Sequence, residues 1–211
     1  MPLLALHKEE RWTVGIWQIT ETISELLATL PAEAHYNKRI EQFASATRRK
    51  EWLASRVLLQ TLCGAHQEIA YEEDGKPYLP DSDTHISISH TKGFVALILS
   101  KTLRVGVDIE YFNPRVRNIR HKFLSHAENS FIDPRQETEQ LLLCWCAKET
   151  LYKLLAQEGV LLSSHLNILP FSAAHRGDLY VEELVSGQRK TYPVHYLVTA
   201  RYIITTAYQE I

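Results

Sequence analysis

Two pairs of charged residues in this sequence stand where charge is costly. Val105-Gly-Val-Asp-Ile-Glu110 is a run of branched apolar residues that reads as a β-strand, yet it carries Asp108 and Glu110. Successive side chains on a strand alternate between faces, so Asp108 and Glu110 share one face and Val107 and Ile109 the other. On one face they stand roughly 7 Å apart and repel by about 2 kcal/mol at an effective dielectric near 20. Water at a solvated strand end, a basic side chain or a divalent cation would each offset that repulsion.

The second pair lies in Leu141-Leu-Leu-Cys-Trp-Cys-Ala-Lys-Glu-Thr-Leu-Tyr-Lys-Leu-Leu-Ala156, a helical run that is apolar nearly all round and therefore expected to be largely buried. Its charges are Lys148, Glu149 and Lys153. Glu149 and Lys153 are four apart and neighbours on one face, which allows a plain helical ion pair. Charges in so apolar a helix need a partner or a metal. A third carboxylate beside two others suits an oxygen-ligand cation such as Mg²⁺, which binds a few carboxylates together with substrate phosphates.

Candidate phosphate ligands are present too: Arg48, Arg49 and Arg56 on an early helix, Lys76 in a Gly-Lys-Pro turn, and His90 at a hairpin. Arginine matches phosphate oxygens geometrically. Neither a Gly-x4-Gly-Lys-Ser/Thr loop nor a Gly-x-Gly-x-x-Gly occurs, so side chains would have to hold a phosphorylated ligand. The serines around His85 and His90 carry no nucleophile-elbow signature.

The elements that must position these residues follow from periodicity. Trp12–Thr20 reads as a strand, and His35 to Leu62 as a helix with Phe43, Trp52, Leu53, Val57 and Leu58 at helical spacings. His85–His90 and Phe94–Leu99 alternate around Thr91-Lys-Gly93 and read as a hairpin. Val105–Glu110 then begins a second cycle, with a helix over Glu139–Gln157 and an alternating pair at Tyr192–Thr199 and Tyr202–Tyr208. Strand, helix, hairpin thus occurs twice, which predicts a structural duplication.

Bulk composition excludes several classes. The 211 residues, 45% hydrophobic and 23% charged, describe an ordinary globular chain. A formal charge of −2 is unlike the basic excess of a nucleic-acid binder. No apolar run reaches bilayer-spanning length and no basic-then-apolar leader opens the chain, so cytoplasmic residence is expected. Cys63, Cys144 and Cys146 are too few for a disulfide scaffold, and the last two are expected to be packed, inert thiols.

Taken together the motifs resemble the 4′-phosphopantetheinyl transferase superfamily, in its longer Sfp-type branch. Its Gly-Asp-x-Glu strand motif is similar to Gly106-Val-Asp108-Ile-Glu110, and its Trp-x-x-Lys-Glu-x-x-x-Lys helix to Trp145-Cys-Ala-Lys148-Glu149-Thr-Leu-Tyr-Lys153. Its Gly-Lys-Pro turn and Ser-His element match Gly75-Lys76-Pro77 and Ser89-His90, and Arg48 and Arg56 resemble its first-helix basic positions. Cys146 departs from the serine or threonine common at that place.

The resemblance implies an α+β, pseudo-twofold fold of two similar α/β halves, residues 1–103 on the coenzyme A phosphate-binding side and 104–211 on the metal-binding and catalytic side, packed as one monomeric unit with coenzyme A between them. It implies that Mg²⁺ bridges Asp108, Glu110, Glu149 and the coenzyme A pyrophosphate, and that 4′-phosphopantetheine passes to a serine of an acyl or peptidyl carrier protein. Adenosine 3′,5′-bisphosphate leaves. Glu149 is the expected base, directly or through water, and Lys153 the stabiliser of the leaving diphosphate. Arg48, Arg56, Lys76, Ser89, His90, Lys148 and Lys153 are the expected coenzyme A ligands, with Arg48 and Arg49 both open as the helix residue facing it. The basic stretch Asn113–Leu124 is the expected carrier-docking surface. A Mg²⁺-dependent hydrolase of pyrophosphate metabolites and a non-catalytic coenzyme A-binding module are the alternatives.

Overall fold

The computed structural model of the protein describes residues 2–32, 35–156, 159–186 and 189–211. The chain divides into two compact units, Met1–Arg104 with Glu210–Ile211, and Val105–Gln209.

The first unit is built on a four-stranded sheet in the order β1-β2-β6-β5, from β1 (Leu3–Lys8), β2 (Thr13–Gln18), β5 (His85–Thr91) and β6 (Phe94–Ser100). A small hairpin of β3 (Ala70–Tyr71) and β4 (Pro77–Tyr78) stands apart from it. The helices are α1 (Ile23–Ala28), α2 (Tyr36–Glu41) and α3 (Ala46–Cys63). Leu53, Ala54, Leu58 and Leu59 of α3 are fully buried in a core shared with Trp17, Val95 and Leu97 of the sheet. The Lys92-Gly93 turn closes the expected hairpin, with Gly93 at φ +80°, a conformation that glycine adopts without strain.

The helix expected over His35–Leu62 is in fact two. The chain breaks after Gln42 and restarts at Ser45, whose backbone is extended. Phe43 explains the interruption: its ring packs on Trp52 at 6.0 Å between centroids, and its freed carbonyl accepts from Arg49 Nε at 2.8 Å. Two elements carry no hydrophobic period long enough to read, β1 and the six-residue α1; the latter starts with a Thr22/Glu25 capping box.

The second unit holds a five-stranded sheet in the order β7-β11-β10-β9-β8: β7 (Leu103–Tyr111), β8 (Leu166–Ile168), β9 (Arg176–Glu183), β10 (Thr191–Val198) and β11 (Tyr202–Glu210). Its long helix is α6 (Glu137–Leu155), preceded by α4 (Val116–Ile119), a single 3₁₀ turn at Arg120–Lys122 and α5 (His126–Asn129), and followed by α7 (Leu162–His165). The helix expected to end at Gln157 ends instead at Leu155, capped by Ala156 in the left-handed region at φ 48°; Gln157 lies outside the described residues. Leu141, Leu143, Cys144, Ala147 and Leu151 of α6 are fully buried in one core with Leu179, Val181, Val194 and Ile203 of the sheet.

The two units share a topology. In each, a strand leads to a long helix and then to an antiparallel hairpin, and the first strand is hydrogen-bonded to the hairpin's second: β2 beside β6 and β6 beside β5, then β7 beside β11 and β11 beside β10. The first unit adds β1 outside β2, and the second adds β9 and β8 outside β10. This is the duplicated α+β architecture that the order of elements predicts. Among the described residues no helix is long and apolar enough to cross a membrane.

Candidate active site

Gly106 governs the geometry of the second unit's site. It shares a strand face with Asp108 and Glu110, and α6 lies directly on that face. A Cβ at Gly106 would stand 2.4 Å from the Thr150 carbonyl oxygen and 3.1 Å from Leu154 Cβ, so only glycine admits this approach of helix backbone to strand. Trp145, Glu149 and Lys153, at successive intervals of four on α6, form the stripe that meets the two carboxylates.

The helix runs antiparallel to β7, and its contacts appear in reverse order. Trp145 Nε1 donates to Glu110 Oε1 at 3.1 Å, while Lys153 Nζ donates to Asp108 Oδ1 at 2.7 Å and to the Val107 carbonyl at 3.2 Å. Glu149 sits between these contacts. Burial first, and then the charges of Asp108 and Glu110, push its carboxyl above the usual carboxylate range, against the opposing pull of Lys153. The repulsion between Asp108 and Glu110 is thus offset by a basic side chain and an indole donor. Cys146 lies close to the same carboxylates, and burial together with the charges of Asp108 and Glu110 drives its thiol well above its ordinary range.

The donor set is all carboxylate oxygen, which suits a hard divalent cation. The mutual influence of Glu149, Asp108 and Glu110 puts the three in one electrostatic patch. Among the described residues no three His, Cys, Asp or Glu side chains are arranged as a metal cluster; Lys153 is bonded to Asp108 and Trp145 to Glu110. The residue types fit such a cation, which Asp108, Glu110 and Glu149 would hold.

Lys148 overturns its expected part as a phosphate ligand. It is fully buried, and its ammonium donates to the Phe123 carbonyl at 2.7 Å, the Leu162 carbonyl at 2.9 Å and Glu128 Oε2 at 2.9 Å. Burial draws the ammonium below its ordinary range, and the adjacent Glu128 opposes that shift. Glu149 is one residue onward, so the two project in different directions. Glu128 was missed as a functional partner, although Ser125-x-x-Glu128 is a legible capping box, formed here with both reciprocal bonds.

The first unit assembles a second group. Arg48 of α3 meets the His90 ring on β5, and Glu51, one turn along α3, is 3.7 Å from Arg48 and 3.1 Å from His90 Nδ1. Arg49 is spent on the Phe43 carbonyl, which leaves Arg48 as the residue on the histidine side. Ser89 is buried on β5 opposite Ala96, and its side chain takes the face opposite to that of His90. Sequence reasoning passed over Glu51, for which the interval of three from Arg48 was the available signal.

Arg56 is only 3% exposed and has no carboxylate within ion-pair distance among the described residues. Its guanidinium lies 3.6 Å from the centre of the Trp52 ring and donates to the Trp52 carbonyl, Ser55 Oγ and the Tyr71 hydroxyl. Desolvation draws it below its ordinary range. Tyr71 belongs to the hairpin that carries Lys76, whose turn is set by Gly75 at φ +87° and by Asp74 accepting from the Lys76 amide at 2.9 Å. The Lys76 side chain has no ion pair among the described residues.

In the basic stretch after β7, Arg117 and Arg120 both reach Glu137 of α6, at 2.9 and 2.7 Å. They tie α4 and the following turn to the long helix, while Arg115, His121 and Lys122 stay exposed.

Residues 104–207, which include the whole stripe and both strand carboxylates, match the profile of the 4′-phosphopantetheinyl transferase superfamily. The 4′-phosphopantetheinyl transferase AcpT of Salmonella typhimurium is 32% identical over 133 residues, 60% of this chain and 69% of that protein. The chain belongs to the 4′-phosphopantetheinyl transferase superfamily. The AcpT of Escherichia coli O157:H7 is 35% identical over 119 residues, 54% of this chain, and the match spans 61% of that relative's length. The 4′-phosphopantetheinyl transferase Sfp of Bacillus subtilis is 31% identical over 115 residues, 53% of this chain and 50% of Sfp. The matched residues include the α6–β7 contact, which gathers both strand carboxylates and Glu149.

Proposed function

We propose that this chain transfers 4′-phosphopantetheine from coenzyme A to a serine of an acyl or peptidyl carrier protein. The observation that carries the reading is Glu149: a carboxyl raised by burial and by two neighbouring carboxylates, set on the α6 stripe beside Lys153 and across from Asp108. A raised carboxyl is a stronger base at the moment of proton transfer.

The serine hydroxyl attacks the β-phosphorus of coenzyme A and loses its proton to Glu149, directly or through water. One P–O bond forms to serine, the pyrophosphate P–O bond breaks, and adenosine 3′,5′-bisphosphate leaves. Lys153 supplies positive charge to the 5′-phosphate of the departing adenosine 3′,5′-bisphosphate, which requires it to share or release Asp108. Asp108, Glu110 and Glu149 would hold Mg²⁺, whose chemistry there is the neutralisation of pyrophosphate charge. Arg48, Arg56, His90 and Lys76 hold phosphates of coenzyme A. Lys148 has no part in that set.

Arg115, His121 and Lys122 offer charge to an acidic carrier surface, where electrostatics sets encounter rate more than final affinity. We place the protein in the cytoplasm as a monomer, the latter open to size-exclusion chromatography.

The direct test is the intact mass of an apo carrier protein after incubation with this protein, coenzyme A and Mg²⁺, with EDTA in a parallel sample. Addition of one phosphopantetheine, absent with EDTA, is expected. Cleavage of coenzyme A with no carrier modified would point instead to a hydrolase.

A further inference from the structure

The Glu128–Lys148 pair takes no part in the chemistry proposed above, yet it is the most deeply buried ion pair among the described residues, 1% and 0% exposed. A buried ion pair is poorly explained by stability alone, because two well-packed apolar side chains usually do as well. What apolar side chains cannot do is hold backbone. Lys148 donates to the carbonyls of Phe123 and Leu162, and Glu128 accepts from the amides of Ser125 at 2.7 Å and Ile168 at 2.8 Å. One point on α6 therefore fixes the chain before α5, the start of α7 and the end of β8.

Phe123 is where this fixation reaches the site. Its carbonyl is held by Lys148, and its fully buried ring meets the Trp145 indole edge-on, 5.2 Å between centroids at 71°. The indole in turn donates Nε1–H to Glu110. The outer torsion of a tryptophan is broad and roughly two-fold. An edge-to-face contact is enough to select one orientation. The contacts form one continuous chain: the ion pair, the Phe123 backbone, the Phe123 ring, the Trp145 indole, the Glu110 carboxylate.

We propose that Lys148 and Glu128 are positioning residues, which through Phe123 set the Trp145 indole and so the orientation of Glu110. The kinetic consequence rests on the transferase reading; the structural consequence stands without it.

The test uses the full chain labelled with 5-fluorotryptophan. It contains four tryptophans, so four ¹⁹F resonances are expected, and Trp145→Phe identifies the one at stake. In a Glu128→Leu/Lys148→Met variant the Trp145 resonance is expected to shift or broaden while the other three hold. Its kcat for carrier modification should fall by on the order of 10²-fold, the cost that a misplacement of about 1 Å carries, with KM for coenzyme A within about twofold. Phe123→Leu, which keeps the Lys148 bond to residue 123's carbonyl, should move the same resonance alone, and it carries the test if the double variant does not fold. An unmoved Trp145 resonance in a folded variant overturns the proposal, and so does a moved resonance with kcat unchanged. If the wild-type protein modifies no carrier, the transferase reading fails, and the resonance still decides the positioning.

Discussion

Gly15 on β2 and Gly106 on β7 occupy matching places in the two units, each on a first strand and under a long helix. A Cβ at Gly15 would meet the ends of two leucine side chains of α3, Leu62 Cδ2 at 2.9 Å and Leu58 Cδ1 at 3.0 Å. At Gly106 it would meet helix backbone, 2.4 Å from the Thr150 carbonyl. One contact is an ordinary core, in which the neighbour can give. The other brings helix backbone to strand backbone, and that closeness is what lets Lys153 reach Asp108 and Trp145 reach Glu110. The same topology thus has flexible side chains under α3 and helix backbone under α6 against its strand glycine. The polar groups of α3 face other strands, with Arg48 and Glu51 at His90 of β5 and Arg56 at Tyr71 of β3.

The sharpest way to probe this contrast is to neutralise the group that the close packing creates. Glu149→Gln should lower the transfer rate by about 10²–10⁴-fold, the contribution of a positioned general base. It should also raise the melting temperature at neutral pH with metal chelated. The sign follows from the raised carboxyl. The folded state binds its proton more readily than the unfolded state does. Stability therefore falls as pH rises through the unfolded and then the folded pKa, and removing the charge restores it. Melting curves for both proteins from pH 4 to 8 should converge at the acid end. A variant that melts lower than wild type at pH 7 would contradict this account of Glu149.

Next in size is the backbone contact itself. Gly106→Ala should cost about 1–3 kcal/mol by urea unfolding, as overpacking does, and should lose transfer activity as α6 is pushed from β7. Equal effects from alanine at Gly15 and Gly106 would erase the difference between the units.

Arg56 tests the other side of the comparison. Arg56→Met removes a buried cation that has no counter-charge among the described residues, so the fold should be retained. A lost bond from a charged donor, worth about 1.5–3 kcal/mol, should weaken calorimetric coenzyme A binding roughly 10-fold or more. An unchanged Kd would make Arg56 a packing residue of the Trp52 cluster. The smallest effect is expected from Gly15→Ala, within about 1 kcal/mol of zero, because Leu62 can turn aside and alanine loses less chain entropy than glycine.

Much of this site could be read before any coordinates. That Asp108 and Glu110 share a face follows from a period of two, and that Trp145, Glu149 and Lys153 share a stripe follows from intervals of four. Local rules misled wherever the true partner was distant in sequence. Lys153 has Glu149 four residues before it, yet it pairs with Asp108, 45 residues away. Lys148 looks like one more cation in the motif, yet it serves Glu128 in the interior.

The sequence by itself determined the α+β class, the doubled order of elements and the faces on which the charged residues stand, because periodicity and turn chemistry are local properties of a chain. Only the tertiary structure decided which faces meet, which lysine reaches the strand carboxylates and which is locked away, and why residue 106 must be glycine. Those outcomes depend on the distance between a strand and a helix that the chain brings together from some 40 residues apart, and no local rule carries that distance.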